Sequence, residues 1–306
     1  GPGFHALALS SPYDLLTVET TAERGVRLRV AGQGSESIPL EPESNTAGRV
    51  AWLFIREFDL REGFRITIHK GIRPGFGLGS SEADAAAAAY ALNRILDLDL
   101  SDNELVALAA QGEIAASDIA HADNVSASLL GGFTIIRSYN HIEVLRYDPP
   151  ENLGICIAIP EIEPPPKKTA QARKALPQKA TLVQLTHNVG HAASIVCGML
   201  TKDISLIGGA MDDIIVELIR SQFIPGYKHV RAAVLKHGAA GVAICGAGPS
   251  IAVFFDTGEA DPKHILKGMT EGFQSIGVGC KTIITRPGGG AQIVKGDASL
   301  RGGLIN

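Results

Sequence analysis

The chain has 306 residues, a formal net charge of −4 and 45% hydrophobic residues, which suits one large domain or two ordinary ones with ample apolar material for a core. Acids and bases are interspersed, so no basic block argues for nucleic acid and no acidic tail argues for disorder. No apolar run approaches about 18 residues, so no helical membrane span is expected.

No charged-then-apolar leader opens the chain, and a cytoplasmic protein is expected. Cys156, Cys197, Cys245 and Cys280 are far apart, lie in apolar company and form no C-x-x-C pair. They are read as buried free thiols in a reducing compartment.

In chain order, "LLTVET" and "VRLRVAG" alternate with period two and read as strands. "NTAGRVAWLFIREFDL" has helical apolar spacing, with Asn45 or Thr46 as N-cap and Trp52 in the core. "FRITIHK" is a short strand running straight into a glycine-rich loop. "SDNELVALAAQGEIAA" opens on a Ser101…Glu104 capping box and predicts a helix, and "GGFTIIRSY" predicts a strand. Near residue 160, "IPEIEPPPKKTAQA" carries four prolines, which marks a connector, a binding loop or a domain boundary. Helices are expected near 179–200, 202–219 and 226–237, then the strand-like "GVAICGAGPSIAVFF", a helix near 261–275 and a strand in "CKTIITRP".

The loop at 73–81, "RPGFGLGSS", precedes an alanine-rich helix. Strand, glycine turn and helix N-terminus make a phosphate cradle, because backbone N–H groups and the helix dipole point at one spot. No lysine of the G-x-x-x-x-G-K-[ST] type is present, and the third glycine of G-x-G-x-x-G falls on Ser80. The bland alternative is a tight strand-to-helix turn capped by Ser80 or Ser81. His187 and His191 have the i, i+4 spacing of a zinc pair, but Asn188 replaces the glutamate of H-E-x-x-H, which favours structural histidines.

"GFGLGSSEADAAA" at 75–87 resembles the second motif of the GHMP small-molecule kinases. "GPGFHALALSSPYD" at 1–14 and "CGAGPSIAVFF" at 245–255 resemble the first and third, in the expected order. "HADNVSASLLGGF" at 121–133, "TAQARKALP" at 169–177 and "DDIIVELIRSQFIPGY" at 212–227 resemble the homoserine-kinase branch. The resemblance implies an α/β (α+β) two-domain fold. Residues 1–150 would form a nucleotide domain, and 151–306 a C-terminal domain of helices on an antiparallel sheet.

It further implies ATP and Mg²⁺, with phosphoryl transfer to the hydroxyl of a small molecule, L-homoserine foremost. The ATP phosphates would lie on the loop of Pro74, Gly75, Gly77, Leu78, Gly79, Ser80 and Ser81, with Gly246 and Gly248 of the third motif nearby. Ser81 and Glu113 would hold the metal. His121 and Asp123 would face the amino-acid substrate, and Arg173 and Arg220 would fork its carboxylate. Thr169 would contact the transferred group. A homodimer is left open.

The chain departs from the family pattern at four places. The Asn that usually precedes "GPGF" is outside the sequence, and His5 stands where an Asp is usual. Glu82 and Asp84 replace the Ala and Ser of G-S-S-A-A-S, and Ile214 stands where many members have a basic residue. Two acids at a phosphate site are tolerable if they face metal or solvent, which assigns Asp84 to support Mg²⁺ and Glu82 to point outward. The rival readings are a sister kinase of the shikimate, mevalonate or pantoate type, and a catalytically silent sensor of the same fold.

Overall fold

The computed structural model describes residues 5–114, 122–163, 171–172 and 174–294. Strand β1 (His5–Leu7) leads to β2 (Leu15–Thr21) and β3 (Val26–Gly32), helix α1 (Thr46–Glu57) and β4 (Gly63–Lys70). Helices α2 (Ser80–Ile95), α3 (Asp102–Gly112) and α4 (Ala122–Leu130) follow, then β5 (Phe133–Ser138), β6 (Glu143–Tyr147) and β7 (Leu153–Pro160). The remainder is α5 (Leu182–Thr201), α6 (Ile204–Gly209), α7 (Glu217–Arg220), α8 (Tyr227–Lys236), β8 (Gly241–Ile244), β9 (Ile251–Asp256), α9 (Pro262–Gln274) and β10 (Cys280–Thr285).

Local chemistry explains the boundaries. Asn45 caps α1 by accepting from the Gly48 N–H, and Ser101 and Glu104 form the reciprocal capping box of α3. Asp261 caps α9, whose first residue is Pro262. One expected helix is interrupted. The stretch 202–219 yields α6 and α7 with a loop between them, because the Asp213 carboxylate accepts from the Ile215 and Val216 N–H groups and from Asn188 Nδ2. A side chain that satisfies backbone donors locally competes with continued helix.

Strands pair in three sheets, ordered β2-β4-β3, β1-β5-β6 and β10-β7-β9-β8. The last is antiparallel throughout, as expected for the C-terminal half. Helices α1 to α4 pack with Phe64, Ile66 and Ile68 of β4 into one core. The C-terminal sheet is covered on both faces. Val253 and Phe255 of β9 meet α8 and α9, while Phe254, between them in sequence, faces the cluster built from α5 and α6.

Cys156 is buried, but Cys197 is exposed and Cys245 and Cys280 are half-buried, so burial holds for one thiol of four. Trp52 is half-buried against the N-terminal core rather than inside it. Among the described residues no helix is long and apolar enough to cross a membrane.

Candidate active site

The glycine loop leaves β4 at Lys70 and enters α2 at Ser80. Gly75, Gly77 and Gly79 all have positive φ (83°, 80° and 75°), which glycine adopts without a Cβ penalty. Gly77 also lies against the third-motif turn between β8 and β9: a Cβ there would sit 2.1 Å from the Cys245 carbonyl oxygen. That turn has its own positive-φ glycines, Gly246 and Gly248, so the two glycine segments form one cradle. Pro74 and Leu78 are backbone members of the same loop.

Helix α2 starts from Gly79 in the left-handed region, with no side-chain cap. Neither serine plays the capping role that a plain turn would need. Ser80 Oγ donates to the Ile72 carbonyl at 3.0 Å, and Ser81 Oγ lies 3.1 Å from both Glu82 Oε2 and Glu113 Oε2. The first-turn N–H groups of α2 are therefore left without a side-chain cap at the N-terminus, with open space around Gly79.

Glu113, the C-cap residue of α3, is 2% exposed. Burial pushes its carboxyl up to about 8, and the nearby Glu82 charge adds to the rise, with Asp84 and Asp123 contributing less. Asp123 is in the first turn of α4. Its neighbour Asn124 donates Nδ2 to Glu82 Oε1 at 3.0 Å. Glu82 thus turns inward to Ser81 and Asn124, not outward to solvent.

Asp84 is also placed differently from expectation. It is buried and accepts from Lys70 Nζ at 2.8 Å, and it reaches Glu113 only as a nearby charge. The same ammonium donates to Asp14 Oδ2 at 2.5 Å and to the Ser80 carbonyl at 2.9 Å, while Asp14 Oδ1 accepts from the N–H groups of Gly71 and Ile72. Burial is the main influence holding Asp84 up to about 7, against the lowering pull of Lys70. Glu82, expected to point outward, lies beside Ser81 and Asn124, and Asp84 pairs with the Lys70 ammonium beneath the loop.

Lys70 and Asp14 were not singled out from the sequence. The signal lay in "FRITIHK": Phe64, Ile66, Ile68 and Lys70 share one parity and all four are buried. A lysine on a core-facing parity calls for a buried anionic partner. Arg220 closes α7 and donates Nη1 to the Gly246 carbonyl at 2.8 Å, which sets its guanidinium beside the third-motif turn. His121, Thr169 and Arg173 lie outside the described residues. His5 stands in β1, paired with Ile135 of β5.

Hard oxygen donors at Ser81, Glu113 and Glu82 suit Mg²⁺, and the uncapped start of α2 suits an anionic phosphate chain. Two adjoining glycine turns at the start of a helix, with carboxylates and a serine hydroxyl gathered beside them and an arginine next to the second turn, fit the class of an ATP-dependent kinase acting on a small molecule. The chain belongs to the GHMP kinase family. Its residues 45–132 match the model for the GHMP kinases N terminal domain, and 196–271 match that for the GHMP kinases C terminal. Homoserine kinase of Methanocella arvoryzae is 40% identical over 97% of this chain and 94% of its own. That of Methanococcus vannielii is 38% identical over 92% and 93%. The crystal structure of homoserine kinase from Cytophaga hutchinsonii superposes with a TM-score of 0.86 at 34% identity, over 94% of this chain and 90% of that one.

The loop makes a direct prediction. Gly79 has open space around it, the nearest atom to an added Cβ being Glu82 Oε2 at 3.9 Å. A Gly79→Val change therefore strains the backbone through φ rather than by collision. The folded variant is expected to lose the rise in thermal midpoint that MgATP gives wild type, an effect of roughly 2.7 kcal/mol at a hundredfold excess over Kd. An unchanged rise would place the phosphates elsewhere.

Proposed function

We propose that this chain is a homoserine kinase, transferring the γ-phosphoryl group of ATP to the hydroxyl of L-homoserine to give O-phospho-L-homoserine on the route to threonine. The observation that carries this reading is the Ser81–Glu113 contact at the start of α2, with Glu82 and Asp123 within electrostatic reach. Acids crowd together here at the mouth of a phosphate cradle, an arrangement that a divalent cation makes favourable.

In this reading the backbone N–H groups of Gly77, Gly79, Ser80 and Ser81 hold the triphosphate. Ser81 and Glu113 hold Mg²⁺, joined by Glu82. When bound, Mg²⁺ supplies neutralisation of charge on the phosphoryl oxygens. Asp123, with His121 nearby in sequence, faces the amino-acid substrate. Arg220 takes the α-carboxylate together with Arg173, and Thr169 contacts the transferred group. The acceptor oxygen bonds to the γ-phosphorus as the bond to the β,γ-bridging oxygen breaks, and the hydroxyl proton leaves. No side chain is assigned as a strong base, because positioning and charge neutralisation carry most of the rate in such transfers. Dependence on cellular ATP suits a cytoplasmic setting.

The decisive experiment presents MgATP with homoserine, mevalonate, shikimate and pantoate, and measures ADP release. Homoserine is expected to be preferred by a wide margin; preference for another acceptor would overturn the assignment. Arg220→Ala is expected to raise KM for homoserine roughly 10- to 100-fold, because a charged hydrogen bond is lost, while KM for ATP changes little. An equal effect on both would remove Arg220 from the carboxylate site.

A further inference from the structure

Three donors that the phosphoryl-transfer site does not use converge on α5 and the loop after α6. We propose that His187, His191 and Asp212 form a site for a divalent transition-metal ion of the zinc type. His187 and His191 lie one turn apart, with ring centroids 4.1 Å apart and planes at 21°. One ligand atom from each histidine and a carboxylate oxygen of Asp212 all lie within 4.8 Å of one another.

The His187–Asp212 separation suits two donors that share one metal ion. His187 Nε2 is 3.2 Å from Asp212 Oδ2, yet it is buried and makes no hydrogen bond. Two donors each about 2.0–2.1 Å from a tetrahedral zinc ion stand about 3.3 Å apart. The outer contacts fit as well. His191 Nδ1 lies 3.2 Å from the Ala210 carbonyl. A carbonyl at Nδ1 draws the proton there and leaves Nε2 as the lone-pair donor, the usual support for a metal-binding histidine.

The glutamate missing from an H-E-x-x-H pattern is replaced by a carboxylate from another segment. Asn188, between the histidines in sequence, fixes that segment: its Nδ2 donates to Asp213 Oδ1 at 2.9 Å and its Oδ1 accepts from the Ile214 N–H at 3.3 Å. Asp213 Oδ1 also accepts from the Ile215 and Val216 N–H groups at 2.9 and 2.8 Å, which fixes the turn that follows Asp212. Two imidazoles and one carboxylate leave a fourth position for water, and the set favours zinc or cobalt over Mg²⁺. The side chains of His187 and Asp212 are 29% and 46% exposed, so an ion can enter. The bound ion would tie α5 to the segment that leads into α7 and Arg220.

The test is a Co²⁺ titration of the full chain with Mg²⁺ in excess, read by d–d absorption, with Zn²⁺ as competitor. One equivalent with four-coordinate absorption is expected, displaced by Zn²⁺. His187→Ala and His191→Ala are each expected to weaken Co²⁺ by at least about 100-fold, since outer-shell losses alone cost 10- to 100-fold. Asp212→Asn covers the case in which a histidine variant fails to fold, and thermal midpoints without metal identify the folded variants. Zn²⁺ should raise the midpoint of wild type and not that of a folded ligand variant. Absence of a saturable site overturns the proposal. So does binding unchanged in the folded ligand variants, or binding lost in Cys197→Ser, since Cys197 is an exposed thiol on the same helix.

Discussion

A Lys70→Met variant is expected to be severely destabilised, by about 3–5 kcal/mol, the usual cost of removing one partner from a buried ion pair. The Lys70 side chain is fully buried, and its ammonium donates to Asp14, Asp84 and the Ser80 carbonyl, so all three of its protons are engaged. Methionine fills the stem but leaves two carboxylates in the core without a cation. Such a loss is a large part of the about 5–15 kcal/mol that holds a domain folded. The deficit has a defined pH dependence. Without the ammonium, burial holds the Asp84 carboxyl higher still, so the folded chain binds more protons than the unfolded one. Stability then falls as pH rises and recovers as pH falls toward the ordinary carboxyl range near about 4. Thermal or urea melts of wild type and variant at several pH values measure this. A variant that melts within a few degrees of wild type at neutral pH would show that the triad does not hold the loop.

Glu113→Gln is expected to lower turnover by on the order of 100-fold or more while leaving the protein folded. The amide keeps the shape and a carbonyl oxygen facing Ser81, but it removes the charge that the proposed metal site would use to balance phosphoryl transfer. In the absence of metal the variant should melt no lower than wild type. The wild-type carboxyl is pushed up to about 8, first by burial and then by Glu82, and the neutral amide escapes that penalty. Turnover at saturating Mg²⁺ and a melt in chelator measure the two halves. Near-normal turnover would remove Glu113 from the metal site, and a collapsed melt would make its role structural.

Much of this molecule is legible in short stretches of sequence. The period-two alternation of "FRITIHK" determines β4 and its buried face, Asn45 and the Ser101–Glu104 pair determine where α1 and α3 begin, and the spacing of Gly75, Gly77 and Gly79 before Ser80 determines the positive-φ turn that leads into α2. These features depend on hydrogen bonds and side-chain directions within one turn or one strand, so the residues themselves specify them. The order of the three glycine motifs also identifies the family.

The charges in the site depend on partners far along the chain. Asp84 is tied to Lys70, 14 residues away, and Lys70 to Asp14, 56 residues away, whereas Glu82 is drawn inward by Asn124 at a separation of 42. Neighbouring acids on one helix turn look alike in sequence. Helix α2 directs Asp84 down onto the sheet and Glu82 toward α3 and α4, and only packing decides which meets a lysine and which meets other carboxylates. Likewise, the spacing of His187 and His191 is local, but the Asp212 carboxylate beside them arrives because Asp213 and Asn188 fold the intervening loop back onto α5. The residue types and their periodicity were determined by the sequence itself; the pairing of buried charges was decided by tertiary structure, because the energy of a buried charge depends on what packs against it.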